Sequence, residues 1–249
     1  FAGMVREQEV FNGVESKPVS KAVMVPWRSV PTATRTINGD AVQARFTDTR
    51  VTYSATALGV DGVRGWRTTK TWQEFDDTYG MVVRSGDDGD VAVAGDEKCV
   101  TYTYNRNTGK NIVTTVARST TTVLACGEAP TSADDVLADV RYFYDGATST
   151  TTIPVYGDVT RTDQLMDWTV TGGTVWQTVS QATFDFTGRP ATTTDVKGNI
   201  TRLAYTPAVG GPVTKLTTTN PLNWVSTVEF NPYWGSTVKT TDANNKVTA

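Results

Sequence analysis

The chain has 249 residues, carries 23 basic and 26 acidic side chains, and contains no histidine. The balanced charge provides no basic stripe of the kind that binds nucleic acid, so we expect no nucleic-acid partner. Without histidine, this segment cannot build a histidine-based catalytic triad, metal site or general base. No apolar run is long enough to span a bilayer and no signal peptide is visible, so we expect no membrane span.

The first 71 residues predict β-structure interrupted by turns. Asn12-Gly13 and Asn38-Gly39 are strong short-range hairpin signals. Between them, Pro26 and Pro31 favour a loop or an edge strand, because proline cannot donate to a β-ladder. We therefore interpret residues 1–71 as an N-terminal β region with weak repeat character.

Residues 72–183 contain divergent copies of a strand–turn unit. Phe75-Asp76 and Gly80 precede an acidic cluster formed by Asp87, Asp88 and Asp90. Such a cluster could bind Ca²⁺, since hard cations prefer several oxygen ligands, but EF-hand spacing is absent. We predict an exposed acidic turn and no metal site here. Further on, residues 131–140 hold the only predicted helix, of one or two turns and capped by Ser132.

Both cysteines, Cys99 and Cys126, bracket a predicted hairpin. Two cysteines in a threonine-rich β chain predict one disulfide, which would indicate an oxidising compartment. Two buried free thiols are the alternative. The seven tryptophans, including Trp168 and Trp176, could stack on sugar rings or could pack one hairpin onto the next.

Residues 184–249 contain three near-copies of one pattern. Each copy has a threonine-rich run that ends in a four-residue element, at 195–198, 220–223 and 242–245. The first position is Asp195, Asn220 or Asp242, whose side chains accept hydrogen bonds from nearby backbone N–H groups. The last position is Gly198, Asn223 or Asn245, residues that tolerate a positive φ. This combination predicts a type I turn followed by a left-handed residue, joining two antiparallel strands.

The copies are also regularly spaced. Gly188, Gly211 and Gly235 recur at intervals of 23 and 24 residues. A fixed period in this range is typical of a repeat architecture. Since the chain starts at Phe1 and stops within the third copy, we interpret it as an internal fragment of a longer protein.

The best copy resembles the YD repeat of the RHS (rearrangement hot spot) family. The residues that carry the resemblance are Phe184, Asp185, Gly188, Arg189, Asp195, Gly198, Asn199 and Tyr205. The second and third copies lack the aspartate after the aromatic residue and have asparagine in place of the turn glycine. The cysteine-bracketed hairpin followed by residues 142–146, Y-F-Y-D-G, is similar to RHS-repeat proteins of secreting actinobacteria.

The resemblance implies an all-β fold of consecutive antiparallel hairpins in a curved or spiralling sheet. In RHS, teneurin and Tc-toxin proteins such a sheet encloses a hollow shell. It further implies a secreted or surface protein, with flanking repeats and a C-terminal toxin or effector as partners. We expect residues 184–249 to be the repeat region, residues 72–183 to be divergent repeats, and the chain to be non-catalytic without a cofactor.

Two other functions remain open at this stage. A carbohydrate- or surface-binding adhesin module would use exposed tryptophan and tyrosine side chains, and Trp168 and Trp176 are its candidate residues. A hydrolase is the third class. The acidic autoprotease motif of the RHS family would lie downstream, and nothing in this chain matches it.

Overall fold

The computed structural model describes residues 1, 3–13, 17–59, 65–169 and 173–249. Its first nine strands are β1 (Glu7–Phe11), β2 (Pro18–Arg28), β3 (Ala33–Ile37), β4 (Asp40–Ala44), β5 (Thr47–Ala57), β6 (Trp66–Phe75), β7 (Val82–Asp90), β8 (Lys98–Tyr104) and β9 (Val116–Thr122). The next nine are β10 (Val136–Tyr144), β11 (Val159–Thr169), β12 (Gly173–Phe184), β13 (Pro190–Asp195), β14 (Ile200–Thr206), β15 (Lys215–Thr219), β16 (Val225–Phe230), β17 (Thr237–Thr241) and β18 (Val247–Thr248).

Sixteen of these strands form one antiparallel sheet in chain order, from β1 and β2 through β5 to β18, and the sheet is not closed. Strands β3 and β4 form a separate hairpin inserted between β2 and β5. The prediction of an all-β chain of consecutive hairpins is therefore confirmed. The strands of residues 184–249 are neighbours in the sheet, as the repeat pattern predicts.

Threonine-rich strands suit this architecture because both faces of a single sheet remain partly in contact with water. All five residues of β15 are half-buried, and Thr217 lies opposite Thr227 of β16. The hydroxyl oxygens of Thr183 on β12 and Thr192 on β13 are 2.7 Å apart and form a hydrogen bond. β-branched side chains favour the pleated backbone, and hydroxyl pairs stabilise it from either face.

The chain divides into two compact units. The first comprises Phe1–Tyr104, Arg118–Asp139 and Asp167–Thr174. Its apolar centre includes Phe75, which is 9% exposed and stacks on Trp27 with ring centroids 4.4 Å apart. Gly86 lies directly under the Trp72 indole, where an added Cβ would come within 2.3 Å of the ring. Glycine is required there because the ring occupies the space of a side chain.

The second unit comprises Asn105–Ala117, Val140–Met166 and Val175–Ala249. Phe143 and Tyr144, 3% and 7% exposed, are its most buried aromatic residues. The Tyr144 hydroxyl donates to the Val116 carbonyl at 2.9 Å, and burial raises the pKa of Tyr144 to about 12. The threefold division of the chain at residues 71 and 183 stays a prediction.

One of the two predicted Asn-Gly hairpin turns is confirmed, and the predicted helix is shorter than expected. Asn38 and Gly39, with φ of 51° and 90°, join β3 to β4 as predicted, whereas residues 14–16 after the first Asn-Gly pair lie outside the described residues. The predicted helix at 131–140 shrinks to the single 3₁₀ turn Ala133–Asp135. The chain is extended from Val136 onward, where β10 lies between β9 and β11 and its backbone groups find partners in the sheet.

Helical structure in the described part of the chain is confined to two three-residue 3₁₀ turns, Thr108–Lys110 and Ala133–Asp135. No helix there has the length and apolar character needed to cross a membrane.

Candidate functional site

The hairpin turns share one hydrogen-bonding scheme. In four of them the first residue accepts, through its side-chain Oδ1, from the backbone N–H groups two and four residues further on. These N···O distances lie between 2.8 and 3.0 Å. The four first residues are Asp185, Asp195, Asn220 and Asp242. The side chain thus satisfies N–H groups that the turn removes from the β-ladder.

The fourth residue of each turn is left-handed. Gly198 has a φ of 81°, and Asn223 and Asn245 each have a φ of 62°, as the turn pattern predicts. Gly188 has a φ of 80° in a fourth turn of the same kind, which begins at Asp185. This fourth turn was not predicted from the sequence, although its Asp-x-x-Gly spacing was the available signal.

A longer version of the turn begins at Asp76 and at Asn231. In each, the first residue donates its N–H to a carbonyl five residues on, at 2.8 Å to Met81 and 2.9 Å to Ser236. Asn231 also accepts from the Tyr233 N–H at 2.9 Å through its side-chain oxygen. In the third repeat, Asn231 occupies the position of the motif aspartate Asp185. Its amide oxygen replaces the carboxylate, so the turn keeps a side-chain acceptor.

Replacing Gly198 by valine should destabilise the fold by about 1–2 kcal/mol, because a β-branched residue is strained at positive φ. Gly198→Asn is the matched control, since asparagine occupies the equivalent position at Asn223 and Asn245. Urea unfolding should show a much smaller loss for asparagine than for valine. Equal losses for the two variants would mean that strain at this φ is not the cause.

Arg189 connects two of the other predicted repeat residues, Asp185 and Tyr205. Its Nε donates to the Asp185 carboxylate at 2.7 Å, and its Nη2 donates to the Ala208 carbonyl at 2.5 Å. The guanidinium lies 4.5 Å from the centroid of the Tyr205 ring, and the Tyr205 hydroxyl donates to the Pro190 carbonyl at 2.9 Å. Arginine thus ties its own turn to the segment that follows β14, through charge-assisted bonds and stacking.

The remaining motif residues have local roles. Phe184 is half-buried at the end of β12, opposite Pro190. The Asn199 side-chain amide donates to the Asp195 carboxylate at 2.8 Å. This bond, with the backbone N–H groups of the turn, lowers the pKa of Asp195. The motif therefore defines a structural cluster that shapes and joins hairpins.

Acid sensitivity should follow from the carboxylate turns. The Thr187 hydroxyl, together with bonds from Arg189, lowers the pKa of Asp185 below its ordinary value. The ionised group therefore stabilises the fold above the unfolded-chain pKa of about 3.9, and this contribution disappears as the pH falls below about 4. Asp185→Asn should make the urea midpoint less dependent on pH in that range.

The reciprocal variant is Asn220→Asp, which places a titratable group in an equivalent turn. We expect it to add pH dependence below about pH 4. If both variants titrate like the parent chain, these turns do not contribute to acid unfolding.

A buried charge cluster lies on β10, β11 and β12. Asp163 is 6% exposed, and Arg141 and Arg161 lie 3.5 and 3.2 Å from its carboxylate oxygens. The Arg141 guanidinium stacks 3.6 Å from the Trp176 ring centroid, and Arg161 lies 3.7 Å from that of Phe143. One face of Trp176 is therefore already occupied by a protein cation, which disfavours it as a sugar platform. The Trp168 side chain lies outside the described residues.

The acidic cluster at 87–90 does not form the predicted turn. Asp87, Asp88 and Asp90 belong to β7, and the chain reverses after Asp90. Asp88 accepts from Lys70 at 2.6 Å, and Asp90 lies 3.3 Å from Arg67. Opposite charges on β6 hold these carboxylates in the strand. Among the described residues, no group of three or more His, Cys, Asp or Glu could hold a metal ion.

Cys99 and Cys126 form a disulfide, and no free cysteine is found among the described residues. The predicted pairing is therefore confirmed, and the alternative of two free thiols is wrong. The bond connects β8 to the segment that follows β9 and closes a separation of 27 residues.

Exposed aromatic residues lie along one rim of the sheet in the second unit. Tyr156, Phe186, Tyr233 and Trp234 are 77%, 77%, 87% and 84% exposed. They lie in the connections that follow β10, β12 and β16, and in an antiparallel sheet such alternate connections share one end. The connections that hold Tyr156 and Phe186 are separated by two strands, about 9.5 Å, and those that hold Phe186 and Tyr233 by four strands, about 19 Å. We call these four residues the aromatic rim.

No protein-family model matches the sequence, and no curated protein matches it. The fold is similar to solved structures of toxin assemblies. A chain in the crystal structure of TcdB2-TccC3-Cdc42 matches with a TM-score of 0.64 and 8% identity, over 98% of this chain and 16% of that one. A chain in the TcdB2-TccC3 structure matches with a TM-score of 0.64 and 9% identity, over 98% and 16% of the two chains.

The Photorhabdus luminescens Tc holotoxin pore structure, with the mutation TccC3-D651A, matches with a TM-score of 0.60 and 8% identity. That match covers 97% of this chain and 15% of the other. This chain thus spans only a small part of the chains that it resembles. Almost its whole length has the fold of a segment of these Tc-toxin chains.

Proposed function

We propose that this chain is a non-catalytic wall segment of an RHS-type shell. The shell belongs to a secreted or surface protein and encloses or presents a C-terminal toxin or effector. The observation that carries the proposal is the open sheet of sixteen strands in chain order, which matches Tc-toxin chains over 98% of its length. The repeat motif around Asp185, Arg189 and Tyr205 supports the same family.

The small number of buried apolar side chains supports the proposal that the sheet is part of a shell wall. Besides glycine, only six apolar residues of the described chain are buried: Phe75, Cys99, Ala117, Phe143, Tyr144 and Pro154. A sheet with so little buried apolar surface does not enclose a core of its own, and repeat arrays gain stability from neighbours instead. Flanking repeats would pair with β1 and β18, the two edges of the open sheet.

The disulfide supports the proposed location of the protein outside the cell or on its surface. Disulfides persist mainly in oxidising compartments, such as the exterior of the cell. Cys99–Cys126 is therefore in keeping with a secreted or surface protein.

The direct test is to express the chain together with the sequence that flanks it in its gene and to image the product by cryo-electron microscopy. We expect a hollow particle in which this sheet is part of the wall and a downstream segment is protected from added protease. A solid domain, with one face of this sheet packed against a second sheet, would contradict the proposal.

Carbohydrate or cell-surface binding is a second candidate, favoured by the aromatic rim. Exposed aromatic rings offer flat apolar faces of the kind that bind ligands with one apolar side. If the rim binds glycans, Trp234→Ala should abolish signals on a glycan array, whereas Trp176→Ala should leave them unchanged because Arg141 covers that ring. An array without signals for the parent chain would rule this function out.

A further inference from the structure

The hairpin of β3 and β4 stands apart from the sixteen-stranded sheet. All ten of its strand residues are exposed. Ile37 and Val42, which are 38% and 50% exposed, are among its apolar side chains. It pairs with no other strand of the described chain, so each of its two strands presents an open edge.

Its base, in contrast, is firmly anchored. Ser29, 1% exposed, donates its N–H to the Phe46 carbonyl at 3.0 Å and accepts from the Phe46 N–H at 3.0 Å through Oγ. Arg45 donates to the Ser29 carbonyl at 2.7 Å. The Phe46 ring lies against Gly80, where an added Cβ would come within 2.6 Å. The hairpin is thus held in place although neither of its strands contains a buried residue, and a lone two-stranded hairpin is only marginally stable in water.

The register shows which backbone groups point outward. Ile37 pairs with Asp40 and Arg35 pairs with Val42. In a hairpin with a two-residue turn these pairs exchange the hydrogen bonds within the hairpin, and the pairs between them do not. The N–H and C=O groups of Ala41 and Gln43 therefore face outward from β4, and those of Thr34 and Thr36 face outward from β3.

The two edges differ in charge. Two-fold pairing through the outward groups of β3 would centre on Arg35 and place it opposite the second copy's Arg35, a destabilising like-charge pair. Two-fold pairing through β4 would centre on Val42 and place it opposite the second copy's Val42, an apolar contact. In that register each Ala41 lies opposite the second copy's Gln43. The outward N–H and C=O groups of both residues then gain hydrogen-bond partners in the second copy.

We propose that the β3–β4 hairpin binds the same hairpin of a second copy, β4 edge against β4 edge, with Val42 on the two-fold axis. The result is a four-stranded antiparallel sheet in the order β3, β4, β4, β3. Because the strands are short, the association is weak and depends on protein concentration. The proposal does not depend on the shell, since it uses neither β1 nor β18.

The experiment uses the Val42→Cys variant of the full chain, in which the introduced thiol is the only free one among the described residues. Residues opposite each other at such a position have Cα atoms about 4.5 Å apart, within the range that a disulfide can bridge. We expect mild oxidation to give a covalent dimer on a non-reducing gel, faster at higher protein concentration.

Gln43→Cys is the matched control on the same strand. In the proposed register the two introduced cysteines are diagonal neighbours, about 7–8 Å apart, which is beyond disulfide reach. Its cross-linking should be at least about tenfold slower than that of Val42→Cys. Equal rates for the two variants would overturn the proposed register.

Two proline variants separate the edges. In the Val42→Cys background, Gln43→Pro removes an outward N–H of β4 and should abolish the dimer, whereas Thr34→Pro removes an outward N–H of β3 and should preserve it. Neither proline removes a backbone hydrogen bond within the hairpin. Gln43→Pro also removes the side-chain acceptor of Arg45, at 2.9 Å, a loss that the Gln43→Cys variant shares. Loss of the dimer with both, retention with both, or its absence from Val42→Cys itself would overturn the proposal. Circular dichroism of each variant checks that it keeps the parent fold.

Discussion

Replacing Cys99 and Cys126 together by alanine should lower the free energy of unfolding by about 3.5 kcal/mol. The bond closes a separation of 27 residues, and this cross-link reduces the conformational freedom of the unfolded chain. Urea unfolding followed by tryptophan fluorescence under non-reducing conditions measures the effect. The m-value should rise as well, because an unfolded chain without the cross-link exposes more surface.

Reduction of the parent chain is the control for this variant. Dithiothreitol should shift the parent midpoint towards that of the alanine pair and leave the alanine pair unchanged. An alanine pair with the same free energy of unfolding as the oxidised parent would show that the disulfide does not stabilise the fold.

Replacing Asp163 by alanine should cost about 3 kcal/mol or more, within the range for breaking a buried ion pair. The substitution leaves Arg141 and Arg161 half-buried next to each other without the carboxylate that lies between them. It also removes the acceptor of the Thr178 hydroxyl, at 2.8 Å. Thermal unfolding should show a clear fall in the midpoint.

Asp167→Ala, on the same strand but exposed, is the matched control and should change the stability by less than about 0.5 kcal/mol. Comparable losses for Asp163→Ala and Asp167→Ala would mean that negative charge on β11 in general, and not the buried cluster, stabilises the fold.

The turns were predictable from sequence because their causes are local. A first residue with a short acceptor side chain and a fourth residue that tolerates positive φ suffice, and both lie within five residues. The same locality explains why Asn38-Gly39 was predicted correctly. The order of the strands followed, since short turns between consecutive strands make sequence neighbours into sheet neighbours.

The contacts between strands were not predictable in the same way. Arg189 reaches the Ala208 carbonyl, and Arg141 covers Trp176, only because the register aligns strands that are far apart in sequence. The acidic residues of β7 were misread for a related reason. Their basic partners Lys70 and Arg67 lie on the preceding strand, and only the pairing of β6 with β7 brings them together.

The strand order has a consequence for how the molecule comes apart. In the described sheet each strand is hydrogen-bonded only to the strands directly beside it, so much of the free energy is a sum of nearest-neighbour couplings. Such a chain unzips from its ends, and amide hydrogen exchange should be fastest in β18 and slow progressively towards the interior of the sheet. The disulfide interrupts this process at β8, since strands on either side of it cannot separate fully while the bond is intact.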